Sequence, residues 1–234
     1  MKILALEFSS PQHSVAVVEA FGHARSPSFS EVVQTRERDP GALGMITEVL
    51  RLARLEREQI ERLVIGLGPG SYTGVRSAIA LAQGWQLASR PDGIKLLGIS
   101  SIECLAAQAQ AQGITGAVAV AIDAQRGEFY LSDYDLDAAG WREITPPRLT
   151  TLLEAQAREK AGQTIIGPEV TNWFPSGRLF FPRAAVLGEL ALARNDFVSG
   201  ESLEPIYLRQ TKFVKAAAPR ILPGHGDGPG IIAQ

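Results

Sequence analysis

The sequence predicts an α/β protein made of two related units, and three observations carry that reading. Short apolar runs bounded by turn residues alternate with stretches in which apolar residues recur at helical spacing. A strand, turn and strand at the start of the chain are repeated in its second half, which is the mark of an internal duplication. Hydrophobic residues are 45% and charged residues 21% of the 234, an ordinary globular mixture able to bury a sizeable core.

Residues 3–6 are an apolar run that ends at Glu7 and turns through Pro11; a second run covers 14–18, and Phe21 and Gly22 turn the chain again. This predicts a β-hairpin extended into a meander. Between 40 and 55, Leu43, Ile46, Leu50 and Ala53 keep helical spacing, with Met45, Val49 and Leu52 on an adjoining face. Residues 64–67 are a short buried strand, after which a glycine-rich turn opens a helix carrying Val75, Ile79, Ala82 and Trp85. A strand is expected at 94–99, and Ser100 with Glu103 is a capping-box signature for the next helix. The apolar strand 117–122 ends in Asp123, the turn 124–127 follows, and 128–131 runs back, which repeats the placing around Glu7. A helix over 149–160, a strand over 164–167 and a helix over 184–194 come next. Residues 216–234, with Pro219, Pro223, Pro229 and four glycines, read as a tail without a fold of its own.

Several function classes are disfavoured. A net charge of −2 provides no overall basic field for gripping nucleic acid unaided. The single cysteine, Cys104, cannot form an internal disulfide or a cysteine cluster, and its apolar helical neighbours mark it as a buried filler. His13, His23 and His225 share no metal-ligand spacing, and no nucleophile-elbow pattern occurs. The N-terminal apolar run is too short for a signal core, and no run approaches the roughly 18 residues of a membrane span, so a cytoplasmic protein is expected.

Three features could carry function. Gly68-Pro69-Gly70-Ser71-Tyr72-Thr73-Gly74-Val75-Arg76 lies between a strand and a helix, where backbone N–H groups can meet an anion. The same residues also suit a tight turn and helix cap, and they match neither a P-loop nor a dinucleotide fingerprint. Glu7 and Asp123 end equivalent strands, as the acids of a two-lobed ATPase would, although polar residues commonly end strands. The first helix has an apolar arc wider than one core contact requires, and the second mixes Leu81 and Trp85 with Ala78, Ala80, Ala82, Gly84 and Ala88. Both helices either lie deep in their own domain or share Leu43, Ile46, Val49, Leu50, Leu81 and Trp85 with a partner.

Taken together, these motifs resemble the TsaB (YeaZ) family, companion subunits in making threonylcarbamoyladenosine on tRNA. The resemblance rests on residues 3–7 with 14–16, on 68–76, on 123–130, and on Glu204-Pro205-Ile206-Tyr207-Leu208-Arg209. It implies an actin-like, acetate-kinase-like (ribonuclease H-like) fold with an N-terminal lobe over 1–100, a C-terminal lobe over 101–213 and a flexible tail over 214–234. It also implies a TsaD-like catalytic subunit as partner, a TsaE-like ATPase beside it, contact with tRNA only through the complex, and no cofactor or catalytic residue of its own; the apolar surplus on the two helices predicts a homodimer when the chain is alone. Glu7, Ser9, Gly68, Gly70, Ser71 and Arg76 are the candidates for a nucleotide or anion contact. Two segments depart from the family pattern: Glu7-Phe8-Ser9 replaces Asp-Thr-Ser, losing a hydroxyl, and Arg38-Asp39-Pro40-Gly41 replaces a His-Ser pair. An ATP-dependent small-molecule kinase and a glycoprotease-like peptidase are the alternatives.

Overall fold

A computed structural model of the chain describes residues 1–21, 26–35, 41–89 and 93–209. His23, His225, residues 38–40 and the expected tail lie outside the described residues.

The apolar start of the chain forms β1 (Lys2–Glu7), which pairs antiparallel with β2 (Gln12–Glu19), and β2 with β3 (Ser28–Thr35), giving the expected meander. Helix α1 (Gly41–Ala53) leads to β4 (Arg62–Gly66), α2 (Tyr72–Ala88) and β5 (Lys95–Ile99). β4 lies parallel to both β1 and β5, so the first sheet has the order β3-β2-β1-β4-β5. After α3 (Ser101–Ala111) the pattern returns as β6 (Gly116–Asp123), β7 (Glu128–Leu136), β8 (Trp141–Thr151), α4 (Leu152–Lys160), β9 (Thr164–Gly167) and β10 (Arg178–Leu179). The second sheet, read from β8, is β8-β7-β6-β9-β10, the same order and the same directions as the first. The duplication expected from the sequence is therefore a duplication of fold. What differs is the element between the last two strands, a long helix in the first unit and a short 3-10 turn, Val170–Asn172, in the second.

Both faces of each sheet are covered, which explains why β1 and β6 are almost continuously apolar. In β1, Leu4 and Leu6 pack with Met45 and Val49 of α1 and Val75 and Ala78 of α2. Ile3 and Ala5, on the opposite face, pack with Ala184 and Leu187 of α5 (Ala184–Leu190). In β6, Val118 and Val120 meet Ile102, Leu105 and Ala109 of α3, and Ala119 and Ala121 meet Ala155 of α4 and Phe174. The helix following each sheet thus packs on the other sheet, α3 on the second and α5 on the first. A Cβ at Gly188 of α5 would press into the Val18 side chain, a measure of how tightly that helix is seated.

Two sequence expectations change in detail. Ser100 does cap α3, its hydroxyl accepting from the Ile102 N–H at 3.2 Å, but Glu103 does not close a capping box; its carboxylate pairs with Arg194. The helix expected from 149 begins at Leu152, because 141–151 is strand β8, an edge strand carrying Pro146 and Pro147. The register against β7 shifts between Leu131 and Tyr134, so the prolines sit where a ladder bond is already missing. Cys104 is fully buried as expected, its thiol donating to the Arg183 carbonyl. Among the described residues, no helix is long and apolar enough to cross a membrane.

Candidate functional site: the interlobe cleft and the glycine loop

β1 and β4 run parallel, so their C-terminal ends, Glu7 and Gly66, come out at one edge of the sheet and their following turns meet there. The contact is backbone on backbone. The Ser71 N–H donates to the Ser9 carbonyl at 2.7 Å, and a Cβ at Gly70 or Gly74 would collide with the carbonyl oxygens of Ser9 and Phe8. Gly68 (φ +79°) and Gly70 (φ +150°) also hold left-handed backbone that suits glycine. Ser71 caps α2, its hydroxyl accepting from the Gly74 N–H at 3.3 Å. The glycines thus let the loop close down on the β1–β2 turn, which commits several of the N–H groups that an anion cradle would present.

Glu7 is fully buried beneath this contact. Its carboxylate accepts from the Ser9 N–H at 2.7 Å and from the Ser101 hydroxyl at 2.7 Å, while Ser101 also accepts from the Gly68 N–H at 3.2 Å. Gly66 leaves the space: a Cβ there would strike Glu7 Oε2. Burial pushes the Glu7 carboxyl above its ordinary range, against the pull of its bonds to Ser9 and Ser101. Glu7 therefore ties β1 to the start of α3 instead of facing solvent. Phe8 is buried, its ring 4.8 Å from that of His13.

A cleft of about 500 Å³ opens between the lobes, lined on one side by Ser9, Ser10, Gly70, Ser71 and Tyr72 and on the other by Asp123, Gln125, Tyr130 and Glu169. Asp123 accepts from the Gln125 N–H at 2.7 Å and stays at the cleft wall, whereas Glu7 does not line it. The cleft does not bring the two strand-end acids together. Among the described residues its lining has two carboxylates and no lysine or arginine, a poor match for a polyphosphate. Among the described residues no three His, Cys, Asp or Glu side chains cluster as a metal site.

Of the six anion-contact candidates, Ser9, Gly70 and Ser71 reach the cleft, Glu7 and Gly68 are structural, and Arg76 lies in an adjoining hollow of about 610 Å³ that shares Gly70, Ser71, Tyr72 and Tyr130. Sequence reasoning gave no role to Ser101, Tyr72, Tyr130, Tyr207 or Arg209. The last four stood within the quoted motifs, but only the fold brings them together.

The six expected partner-surface residues divide. Ile46 and Val49 are buried in the core of the lone chain; Leu50, Leu81 and Trp85 are half-buried, with Trp85 under the Arg57 guanidinium at 5.0 Å; Leu43 is 68% exposed. On α2 the outward side carries Ser77, Ala80, Gly84, Leu87 and Ala88, and Leu87 is 88% exposed. Among the described residues, a Cβ at Gly84 would meet nothing within 4 Å.

Comparison with known proteins places the chain. It is 27% identical to the tRNA threonylcarbamoyladenosine biosynthesis protein TsaB of Escherichia coli, over 89% of this chain and 95% of that one. It is 29% identical to the TsaB of Haemophilus influenzae, over 89% and 94%. The solved structure of YeaZ from Pseudomonas aeruginosa superposes with a TM-score of 0.69 at 26% identity, covering 88% of this chain and 99% of that one. A second structure, of a Pseudomonas aeruginosa protein described as similar to peptidase YEAZ, gives 0.69 at 27% identity, covering 89% and 99%. The family model described as TsaD, tRNA N6-adenosine threonylcarbamoyltransferase, matches residues 40–209, well over half of the chain. The chain belongs to this family, on its TsaB (YeaZ) side. TsaB-type membership accounts for the duplicated actin-like architecture, and the matched span takes in the glycine loop, Asp123 and the Tyr207–Arg209 segment.

Proposed function

We propose that this chain is a non-catalytic subunit that binds and stabilises a TsaD-type catalytic subunit during threonylcarbamoyl transfer to an adenosine of tRNA. Gly84 carries the reading. A glycine in the interior of an exposed helix costs about 1 kcal/mol relative to alanine, and no contact among the described residues calls for it. A flat face of Ser77, Ala80, Gly84 and Ala88 flanked by the exposed Leu87 suits a second helix approaching closely, with Leu43 on α1 offering further apolar surface from the same lobe. The same face serves self-association when the partner is absent, a TsaE-type ATPase joins the pair, and tRNA is engaged through the assembly.

The cleft chemistry favours this over a kinase. Glu7 is committed to Ser9 and Ser101 deep in the fold, and among the described residues the cleft wall presents Asp123 and Glu169 without a cation for phosphate. Size-exclusion chromatography with light scattering on the purified chain, with and without a TsaD-type subunit, tests the proposal. A stoichiometric complex is expected, weakened by substitution on the outward α2 face. Failure to form any complex, together with ATP turnover by the lone chain, would refute it.

A further inference from the structure

We infer that the hollow beside Arg76 is a binding site for a single nucleotide unit, its base against tyrosine rings and its phosphate on the Arg76 guanidinium. The hollow lies between the start of α2, Tyr130 of β7 and residues 205–209, and its volume of about 610 Å³ is in the range of small-ligand pockets. Among the described residues it is lined by Tyr72, Tyr130 and Tyr207, by Arg76 and Arg209, over an aliphatic floor that includes Leu67, and by no carboxylate.

The two arginines have different duties. Arg209 is neutralised, pairing with Glu128 at 2.7 Å and donating to the Ala124 carbonyl at 2.8 Å, so it braces the segment against the β6–β7 turn. Arg76 makes no ion pair with a carboxylate among the described residues. Its Nε donates to the Tyr207 hydroxyl at 2.8 Å, and its guanidinium sits 4.2 Å over the Tyr72 ring and 5.8 Å from that of Tyr207. Those contacts hold the charge in place without cancelling it. It stands in the first turns of a 17-residue helix whose cap, Ser71, also lines the hollow, so the helix adds its own positive end to the attraction.

The aromatic surface is the second, independent feature. Tyr72 and Tyr207 are each more than half exposed, and their centroids lie 6.0 Å apart. Exposed tyrosine faces beside one oriented guanidinium, with no acid in the wall, fit a planar ring that carries an anion. The acidic interlobe cleft next door offers the opposite electrostatics, so the two cavities take different ligands. A nucleotide unit reaches the hollow either as a free mononucleotide or as one residue of a single-stranded RNA, and stacking on tyrosine suits both.

The test is titration of the purified full chain with AMP and, separately, with a short fluorescent single-stranded RNA followed by anisotropy, AMP and inorganic phosphate serving as competitors. The RNA should bind and AMP should displace it, while Arg76→Ala should weaken both by about ten-fold with the melting temperature unchanged. Tyr207→Phe removes the hydroxyl that orients Arg76 but keeps the ring, and should lower affinity by less. Affinity for the RNA well above that for AMP assigns the site to a strand, and equal affinities assign it to a mononucleotide; both outcomes support the site. Absence of binding up to millimolar concentration, binding insensitive to Arg76→Ala and Tyr207→Phe alike, or displacement by inorganic phosphate as effective as by AMP would overturn it.

Discussion

Replacing Gly84 separates stability from association, because the two should move in opposite directions. The added methyl of Gly84→Ala meets open space, so the monomer gains only the helix preference of alanine over glycine, about 0.5–1 kcal/mol. For a chain of this size that is a rise of about 1–4 °C in melting temperature. On a partner helix packed against the bare backbone, the same methyl is an overpacking change, and Gly84→Leu a larger one. Overpacking costs roughly 1–3 kcal/mol, about a 5- to 150-fold loss of affinity. Calorimetric melting of the lone chain beside titration with a TsaD-type subunit reads both quantities. A ladder in which Ala and Leu keep or raise the melting temperature while binding falls with side-chain size is the expected result. If both variants bind as the native chain does, the exposed α2 face is ordinary surface and the reasoning fails.

Other substitutions probe the rest of the account. Leu43→Glu, at an exposed position, should leave the melting temperature nearly unchanged and weaken the complex, whereas Val49→Glu should unfold the chain because it places a charge in the core; equal melting of the two would contradict the assignment. Glu7 holds its proton more tightly folded than unfolded, so above its ordinary value of 4.5 the folded state carries the extra proton and stability falls as pH rises toward the raised value. Glu7→Gln removes that slope, so the melting temperature of the native chain relative to the variant should fall from pH 4 toward neutrality, and a relative rise would refute the buried-acid reading. Gly74→Ala drives a Cβ into the Phe8 carbonyl and should cost about 3 kcal/mol or more, roughly 6–12 °C in melting temperature; a stable variant would mean that the loop contact is loose.

Most strands were legible because they obey short-range rules. β1, β2, β4, β5 and β6 are apolar runs stopped by turn residues, and the repeat of Glu7 and Asp123 pointed to a duplication that the two sheets bear out in order and direction. β8 was hidden because Pro146 and Pro147 read as breakers, and only pairing with β7, with its shifted register, shows how an edge strand absorbs them. Side-chain partners chosen across the fold left no local trace. Glu103 fits a capping box by spacing but is drawn to Arg194, Glu7 is bonded by Ser101 at a separation of 94 residues, and Arg76 is oriented by Tyr207 at a separation of 131. The apolar surplus on α1 was visible in sequence, but which of its residues face outward depended on how the helix lies over β2 and β3, which leaves Ile46 and Val49 buried and Leu43 outside.

The central claim, that this chain supports the transfer without performing it, is tested most directly by reconstituting threonylcarbamoyl transfer to tRNA with a TsaD-type subunit and a TsaE-type ATPase. The chain is supplied as native protein, Glu7→Gln, Asp123→Asn or Gly84→Leu, and modified adenosine is measured by mass spectrometry. Modification should require the chain, persist with Glu7→Gln and Asp123→Asn, and collapse with Gly84→Leu. Modification by the chain alone, or its loss with Asp123→Asn while the complex stays intact, would contradict the account.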